Sequence, residues 1–182
     1  APVHAVLEDV IQVFRYDPTF LREPSPALDE AWDDLQKYSK VRLPRSEAVL
    51  LPNKTSPIPD DPGYYAADLE IYHQLHCLNQ IRQALHPTYY PNWGMHSVSS
   101  RQFHIDHCVE RIRQGLMCSA DTSVLVYQWN STFDETRVRL SVPHQCKNFT
   151  KIHEWNRDNS MITKFNRTVH LPNDLPTPPL IY

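Results

Sequence analysis

Four histidines stand in two pairs at one spacing, His73 with His76 and, 31 residues on, His104 with His107. A cysteine follows each pair directly, Cys77 in the first copy and Cys108 in the second. The duplication runs from His73 to Leu85 and from His104 to Leu116; both histidines, the cysteine and an Ile-Arg-Gln-x-Leu tail agree, at 7 of 13 positions. Imidazole suits zinc, copper, iron and nickel, so these residues indicate a metal ion without selecting it. Matched pairs are more specific than a lone pair, whose bland reading is two core imidazoles bonded to backbone. A structural zinc site keeps its cysteine pair apart from its histidine pair, whereas here His-x-x-His-Cys is repeated whole. Two equivalent centres, or one site shared across a pseudo-twofold axis, satisfy the repeat. A thiolate from Cys77 or Cys108 beside two imidazoles would make a blue-copper ligand set.

Such pairs need helices to hold them. Neither copy contains proline in a chain with 16, so each reads as one uninterrupted helix. Residues three apart on a helix project from one side, as a shared ion requires. In the second copy Ile105, Val109, Ile112 and Leu116 form an apolar stripe, with Leu78, Ile81 and Leu85 equivalent in the first. Packing the helices by these stripes would bring four imidazoles together. The 15 residues of 86–100 allow the chain to reverse, so antiparallel packing is expected.

The remaining chain supplies the frame. Residues 1–24 read as an extended N-terminal segment with Val10, Val13 and Phe14 as core contacts. Ser25-Pro26 opens a short helix through Tyr38, with Trp32 and Leu35 inward. Residues 40–62 carry five prolines and read as a surface connection. Asp68 caps the first His helix and Pro87 ends it. Ser123–Trp129 and Thr136–Val142 read as a hairpin with Asn130 at its tip, and a last helix spans about 149–164 with Ile152, Trp155 and Met161 inward. A proline-rich tail, 171–182, is expected to be extended or disordered. The expected fold is mainly α within a single domain over 1–182: two pseudo-repeated metal-binding helices packed together, a small β-hairpin and a C-terminal helix.

A length of 182 residues is enough for a real core. The net charge of -3 gives no electrostatic reason to expect nucleic acid. No run of about 18 apolar residues exists to span a membrane. The chain opens at Ala1, so an upstream signal or anchor removed by processing is compatible with it. Sequons at Asn53, Asn130, Asn148 and Asn166, none spoiled by proline, favour the secretory pathway over four ordinary polar turns. In that compartment four cysteines pair more readily than they stay free. A Cys77–Cys108 disulfide would clamp the two helices beside the imidazoles, against the alternative of thiolate ligands. Cys118 and Cys146 would then close a second loop, contributing about 3 kcal/mol. Four cysteines allow three pairings.

Other polar and aromatic residues carry weaker signals. His96, His144 and His153 are further ligand or substrate-contact candidates, each weighed against an ordinary structural histidine. Asp121 could orient a ligand imidazole or simply cap the chain after Cys118. Gln83 and Gln114 sit near the histidine face, while Asp106 points away and is expected to pair with an arginine. Tyr64, Tyr65, Tyr89, Tyr90 and Trp93 could line a substrate cleft, with core packing as the default.

His73-Gln-Leu-His76-Cys77-Leu-x-x-Ile81-Arg82 and His104-Ile-Asp-His107-Cys108-x-x-x-Ile112-Arg113-Gln114-x-Leu116-Met117-Cys118-x-Ala120-Asp121-Thr122 resemble the doubled motif of the fungal UstYa-like proteins. Ala31-Trp32-Asp33-Asp34-Leu35 upstream and His144-x-Cys146 with Trp155 downstream fit as well, so the resemblance covers roughly 13–165. It implies copper, two ions, at His73, His76, His104 and His107, with dioxygen or peroxide as oxidant. It further implies oxidative tailoring of a secondary metabolite or ribosomal peptide by cyclisation, hydroxylation or chlorination. The location implied is the secretory-pathway lumen or outside the cell, with membrane attachment only through an N-terminal anchor absent from this chain. A small-molecule or peptide substrate and a homo- or hetero-oligomer with a related member are the expected partners. A second class remains: a secreted metal-binding accessory glycoprotein that partners an oxidase would use the same four histidines.

Overall fold

The computed structural model describes residues 2–91, 93 and 98–177, with 98 and 99 given by backbone alone. Among these the chain forms six strands, five α-helices and a 3-10 turn over Pro2–Val6. The strands pair as three separate two-stranded antiparallel sheets. This corrects the mainly-α expectation, since each sheet occupies a stretch that was expected to be irregular, extended or a lone hairpin. The chain divides into two compact units, each built from separated segments: 1–7, 35–75 and 149–182 in one, 8–34 and 76–148 in the other.

In the first unit β2 (Lys40–Pro44) pairs with β3 (Tyr64–Asp68), Val41 opposite Ala67 and Leu43 opposite Tyr65. Here the surface connection expected over 40–62 is overturned: Val41 is 0% and Leu43 2% exposed. Lys40-Val41-Arg42-Leu43 alternates polar and apolar, which is the period of a half-buried strand, and the following prolines obscure it. Pro44 terminates β2, where proline costs no central ladder bond. Arg42, half-buried, pairs with Asp61 at 2.8 Å and lies over the Tyr64 ring at 3.4 Å. A short helix α2 (Arg45–Ala48) follows and buries Ala48 against Tyr65 and Leu175. The tail is therefore docked at Asp174 and Leu175. Leu175 is 3% exposed, and Asp174 accepts hydrogen bonds from Arg45 Nε and the Tyr65 hydroxyl. Residues 178–182 lie outside the described residues.

The last helix, α5 (Phe149–Asp158), is shorter than expected and ends before Met161. Ile152 packs with Val3 and Tyr72, flanked by Val6, Leu69, Phe149 and Trp155. Val3 is thus the core residue of the N-terminal segment, whereas Phe14 stays half exposed. Beyond α5 the chain returns along β2, with Arg42 N–H donating to Asn159 O at 2.9 Å and Met161 N–H to Lys40 O at 3.1 Å.

In the second unit β1 (Asp9–Val13) pairs with β6 (Pro143–Lys147), Gln12 opposite His144. β6 has no apolar alternation to announce it: Pro-His-Gln-Cys-Lys reads as a loop. The hairpin forms as expected, β4 (Val126–Asn130) against β5 (Glu135–Arg139), with Asn130 opposite Glu135 at the turn. Helix α1 (Pro26–Gln36) begins as read, Leu28 N–H donating to the Ser25 hydroxyl at 3.3 Å, and buries Leu28 and Trp32.

Candidate metal centre

Helix α3 (Glu70–Ala84) carries the first motif and α4 (Val98–Ser119) the second. Asp68 does not cap α3: it closes β3 and accepts from Lys40 Nζ at 3.2 Å, leaving Leu69 beside the first helical turn. The boundary between the units falls within α3, so this unbroken helix alone places His73 one turn from Cys77.

The two motif helices do not meet by the expected stripes. Leu78, Leu85, Val109 and Leu116 are all exposed, at 45%, 73%, 52% and 70%. Cys77 and Cys108 are both 0% exposed and their thiols hydrogen-bond to each other. The cause is helical phase. Ile81 lies one turn beyond Cys77, and Ile105 and Ile112 lie one turn either side of Cys108, so these half-buried residues share the cysteine face. Leu78 and Val109, next in sequence to the cysteines, are rotated by about 100° away from it. Burial pushes the Cys108 thiol pKa upward, partly opposed by its hydrogen bond with Cys77.

Around this thiol pair the histidines gather in an asymmetric way. Cys77 and His107 offer ligand atoms within 4.8 Å of each other, and His73 precedes Cys77 by one turn of the same helix. His76 and His104 face each other separately, with ring centroids 6.0 Å apart. Both groups therefore draw from both motifs. His73, His104 and His107 are half-buried and His76 is exposed. Glu70 reaches to 3.6 Å from His73 Nδ1, beyond hydrogen-bonding distance but on the side where a carboxylate favours the neutral ring's Nδ1–H form. Nitrogen and sulfur at this separation suit a borderline or soft transition ion and exclude the all-oxygen shell that calcium or magnesium takes.

Most of the secondary candidates have structural partners. Tyr90 donates to Asp29 Oδ1 at 2.5 Å and accepts from Arg82 at 2.7 Å, while Arg82 also bonds Asp29 at 2.7 Å and Asn79 at 2.8 Å. This network joins α1 to α3 and accounts for the Arg in the first motif tail by geometry; its counterpart Arg113 pairs with Glu110 on the surface. Tyr89 sits edge-on to Tyr90, Trp93 donates to Gln80 at 2.9 Å, and Tyr65 is core. Gln114 donates to Glu110 and is exposed; Gln83 is half-buried. Asp106 accepts from Gln102 at 2.8 Å, where an arginine was expected. His153 bonds the Tyr72 hydroxyl at 3.1 Å, and burial raises that phenol to about 12. His96 lies outside the described residues.

His144 is the polar residue whose burial sequence reasoning underestimated. It is 6% exposed, its Nδ1 is 2.6 Å from Asp121 Oδ2, and Phe14 stacks on it at 3.8 Å with an 8° tilt. Hydrogen bonds from Ser123, then from His144, hold the Asp121 carboxyl down at about 2 against an ordinary 3.8. A depressed folded pKa stabilises the fold above the unfolded value, and that contribution disappears as pH falls through the folded one. Asp121→Asn should therefore flatten acid unfolding between pH 3.8 and about 2, followed by circular dichroism; a curve identical to the parent would refute the contact.

Together the fold and the site define a protein with paired-helix imidazoles around a buried thiol pair. The family described as "Mycotoxin biosynthesis protein UstYa" matches residues 10–159, and the chain belongs to that family. It is 32% identical to "UstYa family oxidase phomYc" of Diaporthe leptostromiformis over 149 residues, 73% of this chain and 56% of that protein. It is 29% identical to "UstYa family oxidase aprY" of Aspergillus flavus over 169 residues, 84% of this chain and 50% of that one. "Transacylase cctO" of Talaromyces islandicus is 27% identical over 159 residues, 78% of this chain and 52% of that one. The chain thus spans about half the length of these curated relatives. No solved structure matches it. No helix among the described residues is long and apolar enough to cross a membrane.

Proposed function

We propose that this chain is the metal-binding part of a copper-dependent oxidase that tailors a secondary metabolite or ribosomal peptide. The observation behind this reading is the approach of His107 to Cys77, with His73 one turn earlier on the same helix, together with the facing pair His76 and His104. Copper at these histidines, as two ions, would supply the one-electron chemistry that dioxygen or peroxide needs to attack an unactivated C–H bond; zinc, without redox chemistry, would not. The chain's own residues do the holding. Each imidazole, neutral, presents a nitrogen lone pair, and the shielded Cys77–Cys108 contact sets the spacing of the helices that carry them. His76, the exposed member, stands where a substrate would approach. Metal analysis of protein purified without added metal, followed by electron paramagnetic resonance and substrate-dependent oxygen uptake, tests the reading. Copper without oxygen uptake for any phenolic or peptide substrate would favour the accessory glycoprotein instead.

Acyl transfer, the activity in one relative's name, has half of its usual machinery here. Asp121 and His144 make a carboxylate–imidazole pair, but among the described residues His144 Nε2 is buried with no hydrogen-bond partner, so no nucleophile stands against it. That geometry weighs towards oxidation.

The secretory location rests on the sequons, which are not equivalent in the fold. Asn53 is exposed; Asn130 and Asn166 turn their oxygens back to the N–H of Thr132 and Thr168, both at 3.0 Å. Asn148 is half-buried, and its amide nitrogen, the atom a glycan would occupy, donates to Glu8 at 3.1 Å. We expect glycans at Asn53, Asn130 and Asn166 with Asn148 largely empty. Glycopeptide mapping of secreted protein reads each site, and full occupancy at Asn148 would contradict the placement.

A further inference from the structure

The first unit carries an open groove of about 990 Å³, remote in sequence from both motifs. Its walls come from two stretches, 37–40 and 160–167, with Asp60 between them. The walls are tied at one end, where Val41 bridges to Ser160 and Met161 N–H donates to Lys40 O at 3.1 Å. Lys37 and Lys40 stand on one wall and Lys164 and Arg167 on the other, against the single acid Asp60. Lys40 has a partly exposed partner in Asp68 outside the groove lining; Lys37 lies 5.2 Å from the Tyr38 ring. Met161, Ile162 and Phe165 add apolar contact, Ile162 being 73% exposed.

From this arrangement we propose that the groove holds an acidic peptide segment. With Lys40 already paired to Asp68, Lys37, Lys164 and Arg167 still outnumber the single lining carboxylate of Asp60 and select a negative ligand. Their distribution over two walls suits a ligand that carries several separated carboxylates. The volume lies at the top of the range of about 300–1,000 Å³ usual for ligand sites, enough for a short stretch of chain. The exposed apolar side chains between the cations supply contact for the ligand's own side chains, and Asp60 sets register by repelling a carboxylate placed opposite it.

The groove also adjoins the first motif helix within its own unit. Tyr38, in the groove lining, is 5.2 Å from the His153 ring, and His153 is 6.2 Å from Tyr72, the residue before His73. The proposal deepens the oxidase reading by naming a class of chain held by the unit that carries His73. It depends on that reading only for the purpose of the binding.

Binding is measured on the full chain without metal, by fluorescence anisotropy of a fluorescein-labelled peptide of alternating Glu and Ala. Saturable binding is expected, weakened at least tenfold by Lys164→Glu with Arg167→Glu, and weakened by added salt because the charges are exposed. The milder Lys164→Gln with Arg167→Gln pair, checked by circular dichroism, gives the same direction if charge reversal perturbs the fold. Equal binding of the Gln-and-Ala analogue, or undiminished binding by both variants, would overturn the proposal. So would inorganic phosphate competing as well as the peptide, which would make the groove a small-anion site. Asn166 shares the Lys164 and Arg167 wall, so protein made with and without glycans is compared. Loss of binding in the glycosylated form would overturn the proposal for the secreted protein. Because the assay contains no copper, a failed oxidase reading and a failed groove give different results.

Discussion

Replacing His73 and His107 together by alanine is expected to remove one copper ion and abolish oxygen uptake. Replacing His76 with His104 should remove the other, and all four substitutions should leave metal-free protein. The pairing crosses the two motifs because His107 lies beside Cys77, one helical turn after His73, while His76 faces His104. Loss of a residue that merely orients a metal ligand costs about 10–100-fold in affinity, so loss of two direct ligands should exceed about 100-fold. Copper per chain, by elemental analysis after dialysis against a weak chelator, is the primary readout, with oxygen uptake as the second. His170→Ala is the control, an exposed histidine outside both groups. Retention of copper and activity by the fourfold variant would end the metal-site reading altogether. Loss that follows the sequence pairs, His73 with His76, rather than the cross pairs would mean that the helices sit in another register.

The second large effect concerns the thiols. Secreted protein digested under non-reducing conditions is expected to link Cys77 to Cys108 and Cys118 to Cys146, and the copper-loaded protein to lack an intense blue band. Cys77 and Cys108 are shielded from solvent and hydrogen-bonded to each other, so their sulfurs are already neighbours. For the second pair, the Asp121–His144 contact brings the segments together, three residues after Cys118 and two before Cys146. Cys77→Ala with Cys108→Ala should then lower stability by about 2–5 kcal/mol, as loss of a native disulfide does. The competing outcome has its own geometric support, since Cys77 Sγ lies within 4.8 Å of a His107 ring nitrogen. Two alkylatable thiols at 77 and 108, together with a strong visible charge-transfer band, would make Cys77 a thiolate ligand and remove the disulfide from the account.

Both experiments bear on residues that sequence alone singles out. The repeat of His-x-x-His-Cys is visible without any coordinates, because identical residue types at identical spacing survive in a single chain. Proline-free runs declare α3 and α4, Ser25-Pro26 declares the start of α1, and the alternation in 123–142 declares the hairpin. These are local signals, set by periods of 3.6 and 2 residues and by the residues that interrupt them. The resemblance to the family is carried by the doubled motif itself and not by these periods.

What the tertiary structure decided is which side of each helix is inward and which distant segments pair. The apolar stripes through Leu78 and Leu116 satisfy a helical period yet are exposed, since a period defines a face without saying what covers it. The cysteines, two small side chains, allow the motif helices to approach where leucines would hold them apart, and that phase sorts the four histidines into cross pairs. Strand β6 and the burial of His144 depend on β1, more than 120 residues away, and leave no local trace. Val41 and Leu43 did alternate, but only pairing with β3 turns that alternation into a core strand among prolines. Leu175 is buried because Ala48 and Tyr65 provide a surface for it, and no property of a proline-rich tail announces that surface. Local periodicity is written residue by residue; partner choice is a free-energy comparison across the whole chain, and only the folded molecule records its outcome.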